Sequence, residues 1–390
     1  MLRPARRNRP GLSGGGKSRA AVSRQLTILV VGQTPPPYGG QAIMIRELLQ
    51  TEVPNVRFAH VRLKFSRSMQ EVGRASIGKV IEVGKVVLLI LWARVVKGAS
   101  VLYYPPAGPQ RVPVYRDMAL LLCTRWLFRK TIFHFHASGV SDFVKTARGL
   151  TAFLARRAYG HPDLCIRTSP QNPEDGREFY ARADVVVYNG IPDVFPGFTW
   201  QAPSTEPPWR ILFVGVLCES KGVLDLVRAC GLLRARGCCF RLELVGAAQP
   251  ACFADSLNRM IAAEGLTEYV EISGVLVGDD KWRAYRRSHI FCFPTFFESE
   301  SFGLVLLEAM QFELPVVGAR WRGVPSVVED GESGFLVEPH DVAALADRLE
   351  FLMKDRHLAL SMGRAGRSRY LRYFSLERFR AEMRSVLNTL

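Results

Sequence analysis

The sequence predicts an α/β protein made of two doubly wound parallel-sheet domains. Three observations carry this. At 390 residues, 48% of them apolar, the chain is long for one core, and two domains of ordinary size are the natural division. Short apolar runs alternate with helical patterns, which argues for parallel sheets. The alternation breaks off at a stretch, 193–208, that holds four prolines with Gly, Ser and Thr, and then it begins again.

In the first half, residues 27–32 read as a strand, followed by Gly/Pro punctuation and a helix over 41–49. Further strands are expected at 101–104, 131–135, 164–168 and 185–188, with helices over 76–97, 112–128 and 148–158. The second half repeats the scheme, with strands at 210–214, 241–245, 270–273, 290–293, 315–318 and 334–337. These patterns divide the chain into a basic tail (1–24), a first domain (25–192), a linker (193–208), a second domain (209–373) and a last helix (374–390).

Charge is uneven. Residues 1–190 hold 29 Lys+Arg against 11 Asp+Glu, whereas residues 191–390 are close to neutral. Such a field favours anionic headgroups, acidic glycans or nucleic acid and says little about fold. The apolar run 86–93 is far shorter than the ~20 residues a spanning helix needs, so no transmembrane helix is expected. Residues 1–24 carry seven basic and no acidic residues and lack the apolar centre of a secretory signal. They read as a disordered tail, with an organellar transit peptide as the compositional alternative. The tail has no aromatics between its basic residues, which argues against nucleic acid as a partner. The eight cysteines show no C-x-x-C spacing, a pattern of reduced thiols in a cytoplasmic protein. Gly11-Leu-Ser-Gly-Gly-Gly-Lys-Ser18 matches a phosphate-cradling loop letter for letter, yet no strand precedes it, and the reading is rejected.

The most informative segment runs from Phe293 to Met310. It sets Glu300 and Glu308 at either end of an otherwise apolar strand-loop-helix junction. Leu304 to Leu307 leave the first helical turn without a polar face, so Glu308 should be buried and in need of a partner. A sugar hydroxyl would serve. Eight helical residues separate the two carboxylates by roughly 12 Å. Each could hold one end of an elongated ligand whose anionic middle lies on the helix N-terminus, and a nucleotide sugar has that layout.

Glu300-Ser-Phe-Gly-Leu-Val-Leu-Leu-Glu308 resembles the E-x7-E motif of retaining glycosyltransferases of the GT-B architecture, in the family called GT4 or group 1. The flanking text agrees in order and spacing: Gly32 to Gly40, Thr131 to His136, Tyr188 to Ile191, Phe213 to Gly215 with Lys221-Gly222, and Asp330 to Val337. The resemblance covers about residues 25–390 and implies two Rossmann-like doubly wound domains facing across a cleft, with the last helix crossing back to the first. It implies transfer of a hexose from a UDP- or GDP-sugar to a glycan or lipid-linked acceptor. No cofactor is implied, the nucleotide sugar being a substrate, and no metal. His134 and His136 are expected to point to opposite strand faces and so not to share an ion.

By the same resemblance, Lys221 meets the diphosphate, an ordinary solvated lysine being the alternative, and Glu300 binds donor-sugar hydroxyls. The backbone at Phe302, Gly303, Leu304 and Val305 approaches the phosphate, and Glu308 takes the ribose; the alternatives are a helix N-terminal acid that stabilises the dipole for Glu300 and a buried Glu paired to structure for Glu308. Gly39 and Gly40 admit the phosphates for want of a Cβ, with a plain turn as the alternative. His136 lies by the reacting centre, or else is a satisfied core histidine. Glu298 leaves the register of the first carboxylate open, and Asn189-Gly190 reads as a structural turn. The family commonly has an Arg where this chain has Val216. Arg46, Arg320 and Arg322 are the substitutes considered, and a non-catalytic binding or scaffold protein with an impaired donor site is the alternative function. The basic first domain makes an anionic membrane surface an expected partner, at the inner face of the cell membrane, through 79–97 and 111–130 or through none, if those are ordinary packing helices.

Overall fold

The computed structural model describes residues 25–36, 38–64, 77–194, 196 and 207–390. The basic tail with its phosphate-loop lookalike and most of the expected linker lie outside these. The first domain runs β1 (Leu26–Gly32), α1 (Gly40–Leu49), β2 (Val56–Arg62), α2 (Ile77–Val96), β3 (Val101–Tyr104), α3 (Arg111–Thr124), β4 (Lys130–Phe135), α4 (Val140–Thr146), α5 (Gly149–Tyr159), β5 (Leu164–Arg167), α6 (Asp175–Glu178) and β6 (Asp184–Val186). The second runs β7 (Trp209–Val214), α7 (Val223–Ala235), β8 (Phe240–Val245), α8 (Phe253–Ala263), β9 (Val270–Gly274), α9 (Gly278–Arg286), β10 (Ile290–Phe293), α10 (Leu304–Gln311), β11 (Val316–Ala319), α11 (Val324–Val327), β12 (Gly334–Val337), α12 (Val342–Lys354), α13 (Arg356–Tyr373) and α14 (Leu376–Leu387).

Both sheets have six strands, ordered β2-β1-β3-β4-β5-β6 and β12-β11-β10-β7-β8-β9, and every paired strand is parallel. In each sheet the strand order reverses at one point, between β1 and β3 in the first and between β7 and β10 in the second. Crevices outside the carboxyl ends at such points are where open α/β sheets bind ligands.

Helices cover both sheet faces, so the central strands are apolar throughout: Ile28 to Val31 of β1 and Ile290 to Cys292 of β10 are fully buried. β2 was not anticipated from the sequence. It is an edge strand whose Arg57, His60 and Arg62 interrupt any apolar run, yet it pairs with β1 along its whole length. His60 Nε2 lies 3.0 Å from the Gly32 carbonyl, and Arg62 donates to the Thr34 and Pro36 carbonyls, so this edge props the loop that leads to Gly39.

The first sheet separates two apolar clusters. One lies under α2 to α5. The other is closed by α1 and by the far end of the chain, where Leu376, Phe379, Met383 and Leu387 of α14 join Ile28, Val30 and Tyr103. Arg380 of α14 pairs with the buried Glu47 of α1 at 3.0 Å. The chain crosses to the first domain against Gly190, where any Cβ would run into the Ser375 carbonyl oxygen. The second domain has one large core.

Candidate functional site

The loops that leave β7 and β10, the two strands at the second reversal, are built against each other. Gly222 has φ +72°, and a Cβ there would collide with the Pro294 carbonyl, so the residue after Lys221 has to be glycine. The Phe296 N–H donates to the Ser220 carbonyl at 2.8 Å and ties the loops together. Lys221 Nζ donates to Glu300 Oε2 at 2.5 Å, both side chains being largely buried. The same ammonium sits 4.7 Å from the Phe297 ring centre and 5.4 Å from that of Phe293, a cation held on aromatic faces. Glu298 is exposed, so the geometry brings Glu300 and not Glu298 to the lysine.

The segment carrying Glu300 also docks on the first domain. Ser138 Oγ donates to the Glu300 carbonyl at 3.2 Å, Ser301 Oγ donates to the His136 carbonyl at 2.5 Å, and Asn172 Nδ2 and Thr168 Oγ1 both donate to the Ser301 carbonyl. Asp175 accepts from the Gly139 and Ser141 N–H groups and holds the turn after His136. Arg322 reaches Asp142 across the cleft at 3.3 Å. His136 and Glu300, 164 positions apart in the sequence, thus share one corner. None of the Ser, Thr and Asn donors was singled out from sequence, where single polar residues carry no signal.

Two uncapped helix N-termini converge on this corner. Gly303 (φ +81°) precedes α10 and Gly39 precedes α1; neither helix has a side-chain cap or an acid in its first turn. A Cβ on Gly40 would lie 3.6 Å from Leu304 Cδ1, so the first residues of the two helices touch across the domains. A Cβ on Gly39 would meet nothing within 4 Å. First-turn N–H groups have no intrahelical acceptor and carry the positive end of the dipole, so the corner is electropositive apart from Lys221. Phe302 turns its ring into the core against Tyr188 and Phe374, and only its backbone is placed to serve a ligand.

Glu308 is already partnered. Lys281 Nζ donates to one carboxylate oxygen at 2.6 Å and the Tyr285 hydroxyl donates to the other at 2.8 Å, both from α9. Burial and the neighbouring carboxylate push the Tyr285 phenol well up. A sugar hydroxyl is therefore not needed to offset the desolvation of Glu308. These partners, 27 and 23 positions upstream, had not been read from the sequence.

The expectation that His134 and His136 point to opposite faces was wrong. Residues two apart on a strand share a face, and the rings lie 3.9 Å apart. Burial pushes His136 down to about 3, with Asn189 pulling slightly the other way, and pushes His134 well down, with His136 adding to the shift. Both are neutral imidazoles at neutral pH. Tyr103 hydrogen-bonds to His134 Nδ1, while His136 Nδ1 and His134 Nε2 are buried without a partner. Asn189, read as part of a turn, is buried beside His136.

Val216 is half-buried at the β7 exit. The three arginines considered in its place each have a carboxylate: Arg46 has Glu47 at 2.9 Å, Arg320 has Asp330 at 2.6 Å and Arg322 has Asp142. Among the described residues no group of three or more His, Cys, Asp and Glu could hold a metal ion, and no helix is long and apolar enough to cross a membrane.

Comparison with known proteins agrees with this arrangement. Residues 198–369 match the model of the family Glycosyl transferases group 1. The capsular polysaccharide biosynthesis glycosyltransferase CapM of Staphylococcus aureus is 29% identical over 177 residues, 45% of each chain. The chain thus spans less than half the length of this curated relative. Over the whole fold it is similar to the sucrose-phosphate synthase of Thermosynechococcus elongatus, with a TM-score of 0.70 at 18% identity, covering 93% of this chain and 98% of that one. It is likewise similar to the Anabaena protein HepE solved with UDP and glucose, with a TM-score of 0.67 at 17% identity, covering 94% and 100%. The molecule has the GT-B fold, and its second domain carries the match to the group 1 glycosyl transferases.

Proposed function

We propose that the chain is a retaining, metal-independent hexosyltransferase that takes a UDP- or GDP-sugar as donor and a glycan or lipid-linked acceptor, in polysaccharide or glycoconjugate biosynthesis. The observation that carries the reading is the Lys221–Glu300 pair lying where two strand-order reversals and two uncapped helix N-termini meet. In this reading Lys221, which has three donors and gives one to Glu300, takes the diphosphate together with the N–H groups after Gly303 and Gly39. These are donors fixed before the reaction, where the leaving charge develops. Glu300 accepts from donor-sugar hydroxyls. Glu308, fixed by Lys281 and Tyr285, turns what remains of its acceptor capacity to the ribose. Neutral His136 lies by the sugar. The bond from the anomeric carbon to the phosphate oxygen breaks, a bond to the acceptor oxygen forms on the same face, and the departing phosphate takes the acceptor proton. UDP as the nucleotide is supported by its presence with HepE, and a polysaccharide product by the printed role of CapM. Free cysteines fit a reducing cytoplasm.

Val216, with Arg46, Arg320 and Arg322 engaged elsewhere, favours one other reading, a nucleotide-binding or scaffold protein that does not transfer. Incubation with UDP- and GDP-hexoses, with mass detection of nucleoside diphosphate release, separates the two. The proposal expects release from one donor class, abolished in Lys221→Ala, and an anomeric proton coupling in the product that matches the donor. No release from any donor, with wild-type protein still binding UDP or GDP, supports the scaffold.

A further inference from the structure

Three buried polar atoms on the first-domain side of the corner have no hydrogen-bond partner: His134 Nε2, His136 Nδ1 and Asn189 Oδ1. Buried polar groups are as a rule paired, so three orphans among neighbouring residues call for a reason. The two imidazole rings lie 3.9 Å apart, tilted by 33°. The Asn189 side chain is within hydrogen-bonding reach of His136.

Counting hydrogens assigns the tautomers. Burial keeps both rings neutral at neutral pH, so each carries a single N–H. The fully buried Tyr103 hydroxyl meets His134 Nδ1, and burial holds the phenol protonated. Donation to Nδ1 uses the phenol hydrogen and places the His134 hydrogen on Nε2. The rings are stacked, so an N–H in the plane of one cannot point at a lone pair in the plane of the other. His136 Nδ1 therefore looks to Asn189. Its Oδ1 is an acceptor with two lone pairs, and a hydrogen on His136 Nδ1 pairs both orphans in one bond. An amide oxygen facing the ring also raises the basicity of His136, which is the direction in which Asn189 acts. The reversed amide would set Nδ2 on the ring and lower it.

Neither residue is free to turn away. The His136 carbonyl accepts from Ser301 Oγ. Asn189 lies between Tyr188, whose ring packs on Phe302 and Phe374, and Gly190, pressed against the Ser375 carbonyl. The Ile191 N–H donates to the Phe374 carbonyl and the Leu376 N–H to the Ile191 carbonyl, so the two passages of the chain between domains clamp this turn. His136 is 8% exposed, and with Nδ1 buried the nitrogen left to the cleft is Nε2.

We infer that Asn189 is a positioning residue that sets His136 in the Nδ1–H tautomer, so that Nε2 faces the cleft as a hydrogen-bond acceptor for a hydroxyl of the bound sugar. The role toward the sugar rests on the transferase reading, whereas the tautomer does not. With no hydrogen on Nε2, His136 orients the sugar and has no proton to give the leaving phosphate.

The test uses the full chain labelled with nitrogen-15 on its histidine rings. The signals of His134 and His136 are identified among the seven histidines through His134→Phe and His136→Asn. Wild type is expected to show the hydrogen on Nδ1 in His136 and on Nε2 in His134. In Asn189→Ala the His136 hydrogen is expected to move to Nε2; Asn189→Leu, closer in size, repeats the test should the alanine variant unfold. On the transferase reading, kcat/KM for nucleoside diphosphate release from the sugar donor falls about tenfold in the same variants, while affinity for UDP or GDP alone is unchanged. The inference is overturned if wild-type His136 carries its hydrogen on Nε2, if both folded Asn189 variants keep it on Nδ1, or if nucleotide affinity falls as far as turnover. No turnover by wild type with the tautomers as stated removes the sugar role together with the transferase reading, and the part assigned to Asn189 stands.

Discussion

The two domains have closely related architecture but spend their glycines and charges differently. In the second, a Cβ on Gly222, Gly246, Gly323, Gly334 or Gly363 would collide with a neighbouring carbonyl oxygen. Its key ions are locked in pairs: Lys221 with Glu300, Lys281 with Glu308 and Arg287 with Glu243. In the first, only Gly160 and Gly190 would meet a carbonyl oxygen in this way, Gly39, Gly84, Gly98 and Gly149 would place a Cβ in open space as Gly237, Gly274, Gly278 and Gly331 do in the second, and a layer of helices leaves apolar and basic side chains to solvent. The second domain is a close-packed cradle whose geometry dictates its residues. The first is a platform with more side chains left to solvent, and the family match lies at 198–369, in the second domain.

The sharpest way to break this contrast is a matched pair of glycine substitutions. Gly222→Ala must push a Cβ into the Pro294 carbonyl at φ +72° and is expected to cost about 3 kcal/mol or more. Gly84→Ala, at an open position inside α2, is expected to stabilise by roughly 0.5–1 kcal/mol. Urea unfolding of both variants checks the pair, and similar outcomes would erase the distinction.

Next in size is Lys221→Ala. It leaves Glu300 buried and unpaired, a loss of about 3 kcal/mol for a largely buried pair. Lys221→Ala/Glu300→Gln should recover most of the stability and none of the diphosphate affinity. Recovery of both would make the pair a structural strut. Glu308→Gln keeps the Tyr285 contact but sets an amide against Lys281, and a cost of about 1–2 kcal/mol is expected.

The first domain's contribution to the corner is read through pH. Folding depresses His136 from 6.5 to about 3, so the stability associated with its neutral form is full above pH ~6.5 and is lost as pH falls toward 3. Asp175, raised by burial, opposes this at low pH, which makes the difference between wild type and His136→Asn the proper readout. The variant should lose less stability between pH 7 and 4, and imidazole nitrogen shifts should show His136 neutral at pH 5. The smallest effect on stability belongs to Gly39→Ala. With ordinary φ (−122°) and nothing within 4 Å, its melting curve should stay within about 0.5 kcal/mol of wild type while nucleotide binding weakens.

How much of this was legible in the sequence follows from the same contrast. Strands buried on both faces, such as β1 and β10, announce themselves as apolar runs. β2, an edge strand broken by Arg57, His60 and Arg62, does not. The E-x7-E spacing located α10 and its two carboxylates, because a helix start and its buried first turn leave a local pattern. The partners of those carboxylates come from other elements, Lys221 from the loop after β7 and Lys281 and Tyr285 from α9, while Ser138, Thr168 and Asn172 of the first domain hold the backbone carbonyls of Glu300 and Ser301. Tertiary contacts of that kind have no local signature. The strand periodicity that relates His134 to His136 was available and was misapplied.

The central claim is that the corner joining Lys221, Glu300 and the two helix N-termini is a nucleoside diphosphate site. Calorimetric titration of UDP, GDP and ADP into wild type, Lys221→Ala and Gly39→Ala tests it most directly. The account predicts that UDP or GDP binds wild type, that affinity falls in both variants, and that the loss is larger for Lys221→Ala. Absence of binding by all three nucleotides, or equal binding by the folded variants, would contradict it.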